Sequence, residues 1–275
     1  MKHAFLILAH NAFDLLQLLV SRLDDERNDI FVHIDKKVEV LPELYVQKAK
    51  LFMLDDRIDV RWGDWTVVEA EYALFEAAVA HGPYQYYHLL SGVDLPVKSQ
   101  DYIHSFFDRN DGKEFIGYTL TEITPEVVRK VQRWHLFPED FKNTNLVKRV
   151  LRAGYIRVQE FLGIYRNRDV DFKKGSQWVS VTDAMARYFL FKRSWAEKVF
   201  SHSFCADEMV FQTLGWHPMF RDKLYNTESD GAGCMRAIGW RDGQLIDWMP
   251  EDLPRLEASQ ALFARKFNQS ILGEE

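Results

Sequence analysis

The first hundred residues alternate between two patterns of hydrophobic and polar positions. Ala4–Ala9 and Ile30–Ile34 are short, nearly continuous apolar runs, which is typical of strands buried on both faces of a parallel sheet. Between them, Phe13–Leu23 repeats apolar residues at the spacing of a helix. Strand, helix and strand in this order predict a βαβ unit with a right-handed crossover.

The alternation continues through the next sixty residues. The pattern predicts a short strand at Arg57–Arg61, a helix at Val67–Ala80 and a further strand at Tyr86–Leu90. Asp35 and Asp94 both follow predicted strands. Ligands bind at the carboxyl edge of open α/β sheets, so we expect both carboxylates at a binding edge.

The second half of the chain is less regular, but it shows no repeat and no linker. The elements predicted there are a strand at Glu114–Tyr118, a helix at Leu146–Leu162, a loop entering a strand at Gly175–Val181, helices at Asp183–Phe191 and Ala206–Leu214, a strand at Met235–Gly239 and a helix at Ala258–Phe267. The sequence therefore predicts a single α/β domain over residues 1–275. We divide it into a nucleotide-binding half, 1–120, and an acceptor and catalytic half, 121–275.

Composition narrows the class of protein. The chain has 275 residues, of which 47% are hydrophobic and 28% charged, as in ordinary globular proteins. A net charge of −6 argues against nucleic-acid binding. Cys205 and Cys234 are the only cysteines and form no C-x-x-C pair, so neither a structural zinc site nor a disulfide framework is expected.

Hydropathy predicts a cytoplasmic protein. No apolar run has the length of a transmembrane helix or of a signal-peptide core. Membrane contact is expected to be peripheral at most, at the inner face of the cell membrane. The basic helix that includes Lys148–Arg157 could serve such contact, but its pattern favours a solvated surface.

One pair of carboxylates is a candidate for acid–base chemistry. Asp207 and Glu208 fall at the predicted start of a helix, where the helix dipole stabilises negative charge. On position alone this structural explanation is favoured. The functional hypothesis is that one of the two acts as a general base toward an acceptor hydroxyl group.

A nucleotide-sugar enzyme must also neutralise a diphosphate. The one Asp-x-Asp pattern, Asp169-Val170-Asp171, could hold a divalent cation, but no predicted strand leads into it and a solvated loop is favoured. Cationic side chains could take the place of a metal, and the tail offers Arg236, Arg241, Arg265 and Lys266. Since Gly-x-Gly-x-x-Gly, Walker and Gly-x-Ser-x-Gly motifs are missing, residue patterns indicate no more than a nucleotide-binding α/β enzyme.

Several segments in order along the chain resemble the core-2/I-branching β-1,6-N-acetylglucosaminyltransferase family, which includes the peptide O-xylosyltransferases. The segments that carry the resemblance are Ala4–His10, Val32–Asp35, Trp62–Trp65, Tyr87–Lys98, Gly175–Trp178, Cys205–Glu208 and Leu262–Phe267. Cys205-Ala206 departs from the family's usual residues before the Asp-Glu pair.

The resemblance implies a GT-A-like fold with a mixed, mostly parallel sheet flanked by helices and a Rossmann-like N-terminal half. It also implies a UDP-sugar donor, inversion at the anomeric carbon and no metal or other cofactor. Matched by position, the implied roles are catalytic base for Glu208, diphosphate binding for Arg236 and Lys266, nucleotide binding for His10, Asp35 and Trp62, and sugar or acceptor binding for Asp94, Gln177, Trp178 and Asp207.

The expected function is transfer of a sugar, N-acetylglucosamine first, to a hydroxyl group of a glycan or lipid-linked glycan. The missing secretory features favour a bacterial relative that builds surface polysaccharide. Two alternatives stay open at this point. One is a metal-dependent transferase that uses Asp169 and Asp171, and the other is a non-catalytic carbohydrate- or nucleotide-binding domain.

Overall fold

A computed structural model describes residues 1–119, 122, 124–142, 145–242 and 244–273. The strands are β1 (His3–Ala9), β2 (Asn28–Ile34), β3 (Lys50–Met53), β4 (Tyr86–Ser91), β5 (Leu95–Pro96), β6 (Phe115–Ile116), β7 (Val179–Thr182), β8 (Arg236–Ile238), β9 (Trp240–Arg241), β10 (Gln244–Leu245) and β11 (Phe263–Arg265).

The helices are α1 (Phe13–Arg22), α2 (Thr66–His81), α3 (Gln100–Arg109), α4 (Pro125–Val131), α5 (Leu146–Phe161), α6 (Asp183–Phe191), α7 (Arg193–Phe200), α8 (Val210–Gly215), α9 (Pro218–Arg221), α10 (Asp230–Cys234) and α11 (Leu253–Ala258). Short 3-10 helices cover Pro138–Asp140, Ala206–Glu208, Pro250–Asp252 and Gln269–Leu272.

Among the described residues, the largest sheet has six strands in the order β3-β2-β1-β4-β7-β6. The first four are parallel, and β7 runs antiparallel to both of its neighbours. The predicted α/β fold class, with a mixed, mostly parallel sheet between helices, is confirmed. Because β7 lies between β4 and β6, the sheet combines residues from both halves of the chain.

Alternate side chains of β1 enter two apolar layers. Ala4 and Leu6 pack on the side of α2 and α6, whereas Phe5 and Ile7 pack on the side of α1 and α3. Both layers exclude water, which is why the run is apolar at every position rather than at every second one.

A smaller sheet lies against the loop that follows β4. Its order is β5-β11-β8, with β11 antiparallel to β5 and parallel to β8. It brings the tail of the chain beside Asp94. The predicted helix at Ala258–Phe267 is therefore wrong, because α11 ends at Ala258 and Phe263–Arg265 pairs as the strand β11.

The predicted strand at Arg57–Arg61 is also wrong. The backbone N–H of Ile58 donates to His33 Nε2 at 2.9 Å, and Arg57 donates to the carbonyl of Val38 at 2.8 Å, so side chains replace a strand's ladder here. On the side of β2 away from β1, the pairing strand is β3, a partly exposed edge strand whose pattern the prediction missed.

The helix predicted at Ala206–Leu214 is interrupted. A 3-10 turn over Ala206–Glu208 is separated from α8 by Met209, whose φ of −136° is not helical. Glu208 therefore ends a short turn and does not lie in the first turn of a helix. Cys205 and Cys234 are both buried and free.

Among the described helices, none combines the length and the apolar character needed to cross a bilayer.

Candidate active site

The carboxyl ends of β1 and β2 bring His10 and Asp35 together. The backbone N–H of Asp35 donates to the carbonyl of Ala9 at 2.9 Å, and the Asp35 carboxylate accepts from the backbone N–H and Nζ of Lys37 at 2.9 and 2.8 Å. Burial lowers the pKa of His10, an effect that Asp35 opposes and the nearby Lys266 reinforces. His10 and Asp35, which are predicted to bind the nucleotide, therefore lie near Lys266, which is predicted to bind the diphosphate.

Trp62 lies on the same side of the molecule. The residue is 52% exposed, its ring centre lies 5.6 Å from that of Phe204 in a T-shaped contact, and Lys142 Nζ lies 5.1 Å from the same ring centre. Lys142 also contributes to the charge around His10. Gly63 holds the loop in place, because its φ of +80° favours glycine and a Cβ there would lie 2.7 Å from Phe204. The arrangement leaves an aromatic face open for stacking.

Glu208 is held by two lysines through one oxygen. Its Oε2 lies 3.3 Å from Lys130 Nζ and 3.5 Å from Lys174 Nζ. Burial acts to lower the pKa of Lys130, but the Glu208 and Glu126 carboxylates raise it above its ordinary value. Within the described part of the chain no group donates to Oε1 of Glu208, whose side chain is 37% exposed. That oxygen can therefore accept a ligand's proton.

Next to Glu208 in sequence, Asp207 forms a pair of buried acidic residues with Glu71. Gln177 Nε2 donates to Glu71 Oε1 at 2.6 Å, and Glu71 is fully buried. Burial and the charge of Asp207 raise the pKa of Glu71 well above its ordinary value. Asp207 Oδ1 and Glu71 Oε2 are buried without a hydrogen-bond partner among the described residues. The pair links the Gln177 loop to the turn that carries Glu208.

The acid pair predicts a pH dependence of folding. Burial, followed by the charge of Glu208, raises the pKa of Asp207 from 3.8 to about 7. Between these values the folded protein holds a proton that the unfolded chain has released, so the free energy of unfolding falls as pH rises. The slope is at most ~1.4 kcal/mol per pH unit for this group. Urea unfolding between the two pH values should show the fall, and Asp207→Asn should flatten it. Parallel curves for Asp207→Asn and the parent would contradict this assignment, and Asp169→Asn, at an exposed position, is the control.

The loop before Gln177 packs backbone against backbone. The N–H of Gly175 donates to the carbonyl of Glu208 at 2.9 Å, and a Cβ on Gly175 would lie 1.9 Å from the carbonyl oxygen of Gly117. Only glycine permits this approach. The contact fixes the backbone of the proposed base against β6.

We therefore expect Gly175→Ala to destabilise the fold by about 3 kcal/mol, since a backbone oxygen must move. Chemical denaturation measures the change. Gly154→Ala is the control, because an added Cβ there meets no described atom within 4 Å and alanine favours the helix by about 1 kcal/mol. Equal stability of the two variants would show that the Gly175 contact is not required.

A second cluster joins β4, β7 and β11. Asp94 is fully buried and accepts from the backbone N–H and Oγ of Ser91 at 3.0 and 2.6 Å. Arg265 Nε lies 3.3 Å from the same carboxylate, and its guanidinium lies 4.2 Å from the ring centre of Trp178. Asp94 and Trp178, both predicted sugar residues, are thus brought together by Arg265.

Arg236 lies inside the protein. Its guanidinium donates to Ser180 Oγ at 2.9 Å, to the carbonyl oxygens of Val179 and Leu89 at 2.9 and 3.3 Å, and to that of Cys234. Burial lowers the pKa of Arg236 to about 10, so it remains charged at neutral pH. These contacts tie β8 to β4 and β7, and they occupy most of the donors that a diphosphate would need. Diphosphate binding by Arg236 stays a prediction. Lys266, by contrast, is exposed.

The Asp-x-Asp segment lies elsewhere. Asp169 and Asp171 line a cavity of about 370 Å³ with residues of α6 and α8, and Asp171 pairs with Lys173. Among the described residues, no three His, Cys, Asp or Glu side chains are grouped so that they could hold a metal ion. A cleft of about 1310 Å³ between α4 and α5 instead includes Lys130 and Phe204, which contact Glu208 and Trp62.

Several residues of the site have no strong signal in the sequence. Lys130 and Lys174 each follow another basic residue and form no recognisable motif, and the tertiary structure brings them and Glu71 to the Asp207–Glu208 turn from distant segments. The only available signal is the charge of Glu71 within the otherwise apolar face of α2. Arg265 was one of four basic candidates in the tail, and its pairing with Asp94 singles it out.

The fold and the site together define an α/β protein whose candidate binding residues His10 and Asp35 lie at the carboxyl edge of its parallel strands. Comparison with known proteins gives the family: the profile of the Core-2/I-Branching enzyme matches residues 3–270, so the chain belongs to the core-2/I-branching enzyme family.

The chain is also similar to individual proteins. It is 23% identical over 271 residues to Xylosyltransferase oxt of Drosophila pseudoobscura pseudoobscura, with 88% of this chain and 29% of the relative aligned. It therefore spans less than a third of that relative's length. The crystal structure of mouse Xyloside xylosyltransferase 1 in its apo form aligns over 96% of both chains, with a TM-score of 0.41 and 12% identity.

Proposed function

We propose that this protein is an inverting glycosyltransferase that moves a sugar from a UDP-sugar to a hydroxyl group of a glycan acceptor. Family membership supports the class of reaction. The observation that carries the mechanism is the half-exposed Glu208 carboxylate, whose Oε2 is fixed by two lysines while Oε1 receives no hydrogen bond from the described residues. A fixed carboxylate with one open oxygen suits a general base.

The reaction is a single displacement. Glu208 takes the proton of the acceptor hydroxyl group as its oxygen attacks the anomeric carbon from the side opposite UDP. The bond from that carbon to the diphosphate oxygen breaks, and its electron pair leaves with UDP. Lys266 stabilises the negative charge that grows on the diphosphate, so a metal ion is not required.

The surrounding clusters bind the two substrates. Asp35 and Trp62 contact the uridine by hydrogen bonding and stacking, beside His10. The buried Asp94 and Trp178 hold Arg265 in place beside the sugar site. The cleft between α4 and α5 receives the acceptor, because it reaches Glu208 through Lys130.

The first donor to test is UDP-N-acetylglucosamine, on the resemblance to the branching enzymes. UDP-xylose is the second, since Xylosyltransferase oxt and Xyloside xylosyltransferase 1 carry that activity in their names. Release of UDP from these donors and from UDP-glucose, with and without a glycan acceptor, tests the proposal directly. We expect one donor to be used, at the same rate with or without EDTA.

Two outcomes favour the alternatives. Activity that EDTA abolishes and Mn²⁺ restores would support a metal-dependent transferase that uses Asp169 and Asp171. Tight binding of a UDP-sugar without any release of UDP would support a non-catalytic binding domain.

A further inference from the structure

Helix α5 exposes one apolar face. Its apolar residues recur three and four positions apart and so share one side of the helix. They are exposed by 51% at Leu151 to 90% at Phe161. The residues of this α5 face are Leu146, Val147, Val150, Leu151, Val158, Phe161 and, just after the helix, Leu162. A contiguous exposed apolar surface of this kind marks a site of contact with another molecule or a membrane.

The opposite side of α5 is fixed to the rest of the molecule by polar contacts. Gln159 is buried and exchanges hydrogen bonds of 2.9 Å with the backbone N–H and carbonyl of Trp134. Arg152 donates to the carbonyl of Asp140 at 3.0 Å, and Lys148 pairs with the Asp140 carboxylate. The apolar face therefore points outward because polar groups anchor the helix from behind.

The surface around Gly154, at the centre of the α5 face, is also uncovered. Gly154 lies between the apolar positions 150, 151 and 158, and a Cβ built on it would meet no described atom within 4 Å. No described segment of the chain folds over this part of the helix.

Charge indicates what covers the face. The chain as a whole has a net charge of −6, yet α5 carries Lys148, Arg149, Arg152 and Arg157 against a single acidic residue, Glu160. Glu160 is paired with Arg129 from α4. Arg149 and Arg157 form no ion pair with any described residue.

We propose that the α5 face docks the protein onto an anionic lipid surface, with the helix lying in the plane of the membrane. An apolar stripe bordered by arginines is the pattern of interfacial helices, whose binding combines apolar burial with attraction to anionic headgroups. A second copy of the chain fits less well, because two α5 helices in contact would bring their arginines together. The inference is independent of the sugar-transfer mechanism, since it rests on the exposure and charge of α5 and not on the role of Glu208.

The helix also borders the acceptor cleft. Arg149, Arg152 and Arg157 of α5 line the cleft that includes Lys130. Docking through α5 would therefore place the mouth of the cleft next to the lipid headgroups, with Arg149 and Arg157, the two arginines of α5 that pair with no described acidic residue, at its border.

Vesicle flotation with the whole chain, in the absence of donor, tests the proposal. We expect binding to vesicles of phosphatidylcholine mixed with phosphatidylglycerol, little binding to phosphatidylcholine alone, and weaker binding as salt is raised. The double variant Leu151→Glu with Phe161→Glu should bind at least about tenfold more weakly, since it removes apolar burial and adds repulsion. Phe191→Glu is the control, because Phe191 is 80% exposed on α6 and should leave binding unchanged.

Three results would overturn the proposal. The parent protein could fail to bind anionic vesicles, the double variant could bind as well as the parent, or light scattering could show a dimer that the double variant converts to a monomer. The third result would assign the face to a second copy of the chain. Circular dichroism checks that each variant is folded. Donor hydrolysis, measured without lipid, tests the sugar-transfer mechanism separately.

Discussion

Replacing Glu208 with Gln should reduce sugar transfer by about a thousandfold, because an amide cannot take the proton of the acceptor hydroxyl group. The change preserves the shape of the side chain and its position between Lys130 and Lys174. Binding of the UDP-sugar should change little, since the carboxylate acts on the acceptor. Initial rates of acceptor-dependent UDP release, with donor affinity measured by calorimetry, separate the two effects.

Glu126 offers a matched control for this variant. Its carboxylate contacts the same two lysines, at 3.1 Å from Lys130 and 3.5 Å from Lys174, and its side chain is 57% exposed. Exposed ion pairs contribute little, so Glu126→Gln should keep most of the activity. If Glu208→Gln also kept near-normal transfer, the base would have to be another residue.

Replacing Lys266 with Ala should lower the rate by about a hundredfold, the usual effect of removing a group that stabilises transition-state charge. Lys266 is exposed and near His10, so the loss should leave stability unchanged. The change should fall mainly on kcat, because the charge on the diphosphate grows as the bond breaks. Lys113→Ala removes an exposed cation in the turn before β6 and should have no effect on the rate.

The variant Arg236→Ala provides a comparison for Lys266→Ala, because the two substitutions should affect different properties, stability in the first case and rate in the second. Its guanidinium is bonded to the carbonyls of Val179 and Leu89, so Arg236→Ala should act chiefly on stability. Urea unfolding of the two variants side by side should show a loss for Arg236→Ala and none for Lys266→Ala. If Lys266→Ala were destabilised, its lower rate would be explained by loss of folded protein, and the assignment of Lys266 to the diphosphate would lose its support.

The βαβ start of the fold was predictable because each signal is local. A strand buried on both faces is apolar at every position, and β1 and β2 show this directly, as does the helical period of α1. The place of Asp35 at the carboxyl edge followed from the same reasoning. The half-exposed β3 gave no such signal, and β11 was mistaken for a helix because a short apolar run has no period of its own.

The sequence by itself determined the fold class, the position of Asp35 at the carboxyl edge of the sheet and, through resemblance, the proposal of Glu208 as the base. Only the tertiary structure decided which charges meet. Lys130 and Lys174 reach Glu208 from separate segments, Arg265 joins Asp94 to Trp178, and Arg236 is turned inward. The exposure of the α5 face is likewise decided by how α5 packs against the rest of the molecule. Periodicity reports how an element is buried, whereas contacts between charges depend on how elements distant in sequence pack against one another.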